Sequence, residues 1–246
     1  FPATRTKVDL AGTGEFFALQ CWSATNRAEG RIRGVNIGEP SFPSGLRLEA
    51  RGLTIRRGYR LLFEALDLDL GAGDVLQLTG PNGAGKSTLM RILARFSQPD
   101  AGSIRWPGLG EDDEVATLLH YHGHREGLRE ALTPAENLAF AAGILGGDAT
   151  RILTALERLG ADSLADLPVQ VLSAGQRRRV ALARLLVAPR PVWLLDEPLA
   201  ALDVAGQALV GDLIAAHVLA GGMAIVATHQ PLGIAVRQLT LGGVAA

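Results

Sequence analysis

The chain has 246 residues, 48% of them hydrophobic, which suffices for one large domain with or without an appendage. Its 24 basic and 25 acidic residues leave a formal charge of −1, so the basic footprint of a nucleic-acid-binding protein is missing. A single cysteine, Cys21, excludes an internal disulfide framework, and the most apolar stretch, Leu213 to Thr228, falls short of the ~18 residues of a membrane span.

Residues 1–45 mix Gly, Pro, Ser, Thr and Arg without sustained periodicity and read as a loose N-terminal extension or an artefact of the start site. No compact apolar run follows basic residues there, so no secretory signal is expected. Patterned sequence begins with Leu46-Arg47-Leu48-Glu49-Ala50, which alternates as a half-buried strand does. Leu66 to Leu70 alternates again, and Val75 to Thr79 is a strand running into a glycine loop. A helix is predicted over Lys86 to Phe96. Thr133-Pro134-Ala135-Glu136 opens a second helix, with a capping Thr, Pro at the first position and Glu three residues on. Ser173-Ala174-Gly175-Gln176 has the same form and opens a third helix reaching about Val187. Pro191 to Leu195 and Met223 to Ala227 are short apolar strands. Strands alternating with helices predict an α/β fold with a largely parallel sheet.

Lys86 is one of only two lysines, and it ends a glycine-rich run. Gly80-Pro81-Asn82-Gly83-Ala84-Gly85-Lys86-Ser87 matches G-x-x-x-x-G-K-[ST] between a strand and a helix that continues with Thr88. Glycines let backbone N–H groups turn toward phosphate oxygens, and a helix start adds free donors and its dipole. Lys86 would meet the β- and γ-phosphates, and the Ser87 hydroxyl a Mg²⁺ ion. Val192 to Glu197 is an apolar strand delivering Asp196 and Glu197 at its carboxyl end, where such sheets bind ligands. One acid there can hold Mg²⁺ and the other can polarise an attacking water.

Together with these, Leu172-Ser173-Ala174-Gly175-Gln176 resembles the signature of ATP-binding-cassette (ABC) ATPases, with Ala174 where the usual form has Gly. Leu199 to Asp203, after Asp196-Glu197-Pro198, is similar to the family's D-loop, and Thr228-His229 to its switch histidine. The resemblance covers 46–246. It implies a P-loop NTPase of ABC type, with a mostly parallel sheet core, an antiparallel β part and a helical signature subdomain over about 124–180. It also implies ATP and Mg²⁺ as cofactors, with Glu197, His229 and His124 catalytic and Ser87 and Asp196 at the metal. The resemblance further implies a head-to-tail pair of two copies, with each ATP between one chain's phosphate loop and the other chain's Ser173, Ala174, Gly175 and Gln176, and with Asp203 in the D-loop.

His124 stands where most ABC ATPases have Gln. The Gly123-His124 pair, followed by Leu132-Thr133 and Glu136-Asn137-Leu138, resembles the ATP-binding subunit of the bacterial haem exporter used in cytochrome c maturation. Arg177 to Arg184 and Thr228-His229-Gln230-Pro231-Leu232 are similar to that subunit too. That likeness implies multispanning membrane partners, a peripheral place on the cytoplasmic face of the bacterial inner membrane, no covalent anchor and no nucleic acid. A generic lipid, drug or peptide exporter is the alternative, and a soluble ABC protein acting on ribosomes or DNA a more distant one. Neutral imidazole donates one hydrogen bond and accepts one, and its charge changes near neutral pH. The adenine platform falls on Arg57, whose guanidinium can stack, or Tyr59. Arg177 to Arg179 read as a solvated basic face, and Trp193 as core.

Overall fold

The computed structural model describes residues 42, 45–108 and 115–242. Cys21 and, apart from Phe42 and Gly45, the extension read over 1–45 lie outside them. In chain order the elements are β1 (Arg47–Arg57), β2 (Arg60–Gly71), β3 (Val75–Thr79), α1 (Lys86–Leu93), β4 (Ala101–Arg105) and β5 (Leu119–His122). They continue with α2 (Pro134–Leu145), α3 (Ile152–Arg158), α4 (Ala174–Val187), β6 (Val192–Asp196), α5 (Val204–Leu219), β7 (Met223–Ala227) and β8 (Arg237–Thr240).

Two sheets result. One is antiparallel, in the order β2-β1-β4; the other is parallel throughout, in the order β5-β6-β7-β3-β8. The alternation read at Leu46 to Ala50 is the start of a longer strand, and Leu66 to Leu70 is the end of its hairpin partner. Gly58 and Tyr59 form the two-residue turn between them, with Gly58 at φ +61°.

The apolar strands of the parallel sheet are buried on both faces, which is why they read as continuous runs rather than alternations. On one face Leu76, Leu78, Val192, Leu194, Met223 and Ile225 join α1 and the inner face of the antiparallel sheet. On the other, Val75, Trp193, Leu195, Ala224 and Val226 join residues of α2, α3, α4 and α5. Helix α1 is thus held between two sheets, and its start is fixed in place. It ends at Leu93, before the predicted Phe96, because Arg95 turns left-handed at φ +63° and Phe96 is exposed. The capping boxes at Thr133 and Ser173 are both formed.

Parallel pairing brings four carboxyl ends to one edge. There lie the glycine loop after β3, His124 after β5, Asp196 and Glu197 at the end of β6, and His229 after β7.

Candidate functional site

The loop from Gly80 to Gly85 wraps the start of α1. Gly80, Gly83 and Gly85 all have positive φ. A Cβ on Gly80 would stand 2.1 Å from the Leu241 carbonyl oxygen, a severe clash, so only glycine lets the loop pass under the end of β8. Among the described residues no side chain caps the α1 N-terminus, which leaves its first N–H groups for a ligand. Lys86, 8% exposed, donates to the carbonyl oxygens of Gly80 (2.5 Å) and Pro81 (3.3 Å) and meets His229 Nε2 at 3.1 Å. An ammonium only donates, so His229 Nε2 is an acceptor and the ring proton sits on Nδ1. The chain's two candidate phosphate-facing groups are therefore already in contact. Ser87 and Thr88 are half-buried on the first turn of α1, and Asn82 is exposed on the loop.

Asp196 and Glu197 differ more than alternation along a strand predicts. Asp196 ends β6, is 1% exposed, and its Oδ2 has no hydrogen-bond partner among the described residues. His124 Nε2 lies 3.4 Å from that oxygen, an ion-pair distance without hydrogen-bond geometry. A buried carboxylate oxygen without a donor fits a bound divalent cation, and the Ser87 hydroxyl offers a second oxygen from α1, which packs on β6. Glu197 has already left the strand. It sits in the left-handed region at φ +51°, half-buried, and its N–H bonds the Ala227 carbonyl at 2.8 Å. Such backbone costs about 1–3 kcal/mol and is held here by a neighbouring strand.

The loop after His124 is tied down from several sides. Buried Asn137 accepts from the Arg129 N–H (2.7 Å) and donates to the carbonyls of Arg129 and Thr133. Arg184 donates to the Glu126 carbonyl at 2.8 Å.

Ser173, Ala174, Gly175 and Gln176 line an open groove of about 580 Å³ shared with Ala201, Leu202 and Asp203. Ser173 and Ala174 are exposed, while a Cβ on Gly175 would meet the Ala201 carbonyl oxygen at 2.7 Å. Gly175 is thus also required by the chain's own D-loop, a constraint beyond leaving room for a ligand. Arg179 Nη2 bonds Asp203 Oδ1 at 2.6 Å, and that oxygen also caps α5 at the Gly206 N–H (2.9 Å). The Gly206 N–H, then Arg179, hold the Asp203 carboxyl below its usual range.

The solvated basic face read over Arg177 to Arg179 is corrected. Arg178 is buried and donates to His122 Nε2 at 2.8 Å, so His122 is an acceptor and neutral. Burial pushes the His122 pKa down to about 3, with Arg178 adding to the effect. His120, which donates to the Ala188 carbonyl at 2.6 Å, is lowered to about 4, again chiefly by burial. Burial lowers His217 to about 3; it stacks on core Trp193 with ring centroids 3.8 Å apart.

Arg57 and Tyr59 lie at the exposed β1–β2 turn, with Tyr59 fully open to solvent. Their hairpin neighbour Arg60 comes nearer the phosphate loop, its Nη1 3.8 Å from where a Gly83 Cβ would stand, and Leu62 and Phe63 of the same strand pack closer still, 3.3 Å from where a Gly85 Cβ would stand. No motif marks Arg60. A basic residue next to the turn, on a strand hydrogen-bonded to β1, was the available signal.

The ABC transporter family model matches residues 63–200. The cytochrome c biogenesis ATP-binding export protein CcmA of Rhodopseudomonas palustris strain HaA2 is 47% identical over 200 residues, covering 81% of this chain and 100% of the relative. Its counterpart in Methylococcus capsulatus strain Bath is 46% identical over 190 residues, 75% of this chain and 92% of the relative. Among solved structures, an ABC transporter ATP-binding protein from Pyrococcus furiosus shares the fold, with a TM-score of 0.71 at 24% identity over 79% of this chain and 97% of that one. With its phosphate loop, acid pair, histidine and signature in the order and arrangement described, the chain belongs to the ABC transporter family and, within it, to the cytochrome c biogenesis ATP-binding export proteins.

Proposed function

We propose that this chain is the ATP-hydrolysing subunit of a membrane ABC complex that exports haem, or releases a haem-loaded chaperone, during cytochrome c biogenesis. The observation that carries the reading is the convergence at one sheet edge of Lys86, Asp196, Glu197 and His229, in a chain 47% identical to export proteins of that process. Lys86 and the α1 N-terminus hold the β- and γ-phosphates of ATP. Glu197, poised by its bond to β7, polarises the attacking water, and His229 faces the γ-phosphate from the neighbouring strand end. Bound at Ser87 and Asp196, Mg²⁺ would neutralise charge developing on the phosphate oxygens.

Two copies act head to tail, the exposed Ser173 and Ala174 of one reaching the ATP of the other. Support comes from the capped N-terminus of α4, which opens into a groove that no described residue fills. Arg57 or Tyr59 at the hairpin turn meets the adenine base. Among the described residues no helix is long and apolar enough to cross a membrane, in keeping with a subunit held to the cytoplasmic face of the inner membrane by multispanning partners.

Glu197→Gln should lower ATP turnover by ~10²–10⁴-fold while ATP binding persists. Purified from membranes in mild detergent with ATP, the tagged variant should bring down small multispanning subunits and a haem-handling chaperone. Recovery with a single exporter membrane domain and no haem protein would sink the haem assignment and leave a generic exporter. Recovery with ribosomes would overturn the transport class.

A further inference from the structure

Gln77 is a polar residue in the buried middle of β3, 4% exposed, with Val75, Leu76 and Leu78 around it. An amide in such a place is costly unless its hydrogen bonds are met. Its Nε2 donates to the carbonyl oxygens of Gln230 (3.0 Å) and Thr228 (3.3 Å), the residues on either side of His229. Carbonyl oxygens only accept, which fixes the amide with its nitrogen toward them. Its Oε1 accepts from Gln238 Nε2 (3.3 Å), and Gln238 is its register partner on β8.

The segment that carries His229 depends on such bonds. Strand β7 ends at Ala227, so Thr228 to Gln230 lie beyond the ladder. The Thr228 N–H reaches the Leu78 carbonyl (3.2 Å) and the Gln230 N–H the Thr228 hydroxyl (3.1 Å), which ties the donors of the segment. Its acceptors on both sides of the imidazole go to Gln77. The same segment borders an open cavity of about 690 Å³, whose walls include Gln77, His229, Leu232 and Gln238. Packing is thin there, and hydrogen bonds set where the ring stands.

We infer that Gln77 is a positioning residue for ATP hydrolysis: its amide clasps the backbone on both sides of His229 and fixes the imidazole against Lys86. This rests on the reading of His229 as the group that faces the γ-phosphate. Gln238 braces the clasp by holding the amide in one orientation. Lys86 has its own anchors in the carbonyls of Gly80 and Pro81, so nucleotide binding does not depend on Gln77.

The test measures ATP turnover, by release of labelled phosphate, in the membrane complex purified through a tag on the full chain. Met at position 77 keeps the length of Gln and removes its donors. Gln77→Met should lower kcat about 10–100-fold, the scale for a misplacement of about 1 Å, and leave KM for ATP within about twofold of the parent. Because Gln77 acts through His229, adding Gln77→Met to His229→Ala should lower kcat no further. Gln238→Met, at an exposed site, should lower kcat about three- to tenfold, the worth of one neutral hydrogen bond, and likewise do nothing in the His229→Ala background. Melting curves report whether each variant folds. Parent-like kcat in Gln77→Met, or in Gln238→Met where Gln77→Met does not fold, would overturn the inference. So would losses that multiply in the double variants, or a raised KM with kcat kept, either of which would leave Gln77 a structural amide. Parent-like kcat in His229→Ala would instead remove the underlying reading of His229.

Discussion

His120, His122 and His217 are buried beside the parallel sheet, whereas His124 and His229 stand exposed at its carboxyl edge. Each buried ring meets fixed polar partners that settle its protonation: carbonyl oxygens for His120 and His217, a guanidinium for His122. The two exposed rings instead face Asp196 and Lys86, the groups proposed above to act on a nucleotide. The residue type is shared, and what surrounds the ring decides whether it packs or reacts.

The sharpest way to break this contrast is to remove one ring from each region. His229→Ala should lower ATP turnover by ~10²–10⁴-fold and leave the melting temperature within a few degrees of the parent. A large loss of stability would place His229 with the structural set. His122→Ala should do the reverse for stability, because it strips the buried Arg178 of its acceptor. A loss of about 2–3 kcal/mol is expected in urea denaturation, the range for a hydrogen bond to a buried charged group. Unchanged stability would mean that Arg178 finds Glu126, 3.9 Å away, as a sufficient substitute.

Titration sharpens the contrast further. The buried three have folded pKa values of about 4, about 3 and about 3, below the ~6.5 of an unfolded histidine. The unfolded chain therefore binds more protons between these limits. Their contribution to stability is complete above pH ~6.5 and is lost as pH falls toward 4 and below. His217→Phe keeps an aromatic ring beside Trp193, and should flatten the fall in stability between pH 6.5 and 4.5 by about 1.4 kcal/mol per pH unit. An unaltered slope would show that His217 is charged in the folded protein.

Much of this site is legible in the sequence because its parts are local. The glycine loop, the Asp-Glu strand end and the two capping boxes each declare themselves within a few consecutive residues. So do the apolar runs of β3, β6 and β7, whose burial on two faces leaves no polar alternation. The rest depends on pairs far apart in the chain. Nothing near Arg178 says that it is buried against His122, and nothing near Gly175 says that Ala201 lies against it. Arg60 is marked only by being a basic residue beside the turn, since its nearness to Gly83 follows from how the β1–β2 hairpin lies over the loop. Asn137 reads as part of a resemblance, but its task of clasping the turn at Arg129 to Thr133 emerges only in three dimensions.

The Glu197 N–H is pinned to the Ala227 carbonyl, and the next two residues along that strand end are Thr228 and His229. The starting gap between acid and imidazole is therefore set by a main-chain ruler spanning two neighbouring strands. Substituting nearby side chains can retune how strongly either group acts, but the ruler keeps its length. Chains that keep this strand pairing inherit the same spacing, however far their surfaces drift.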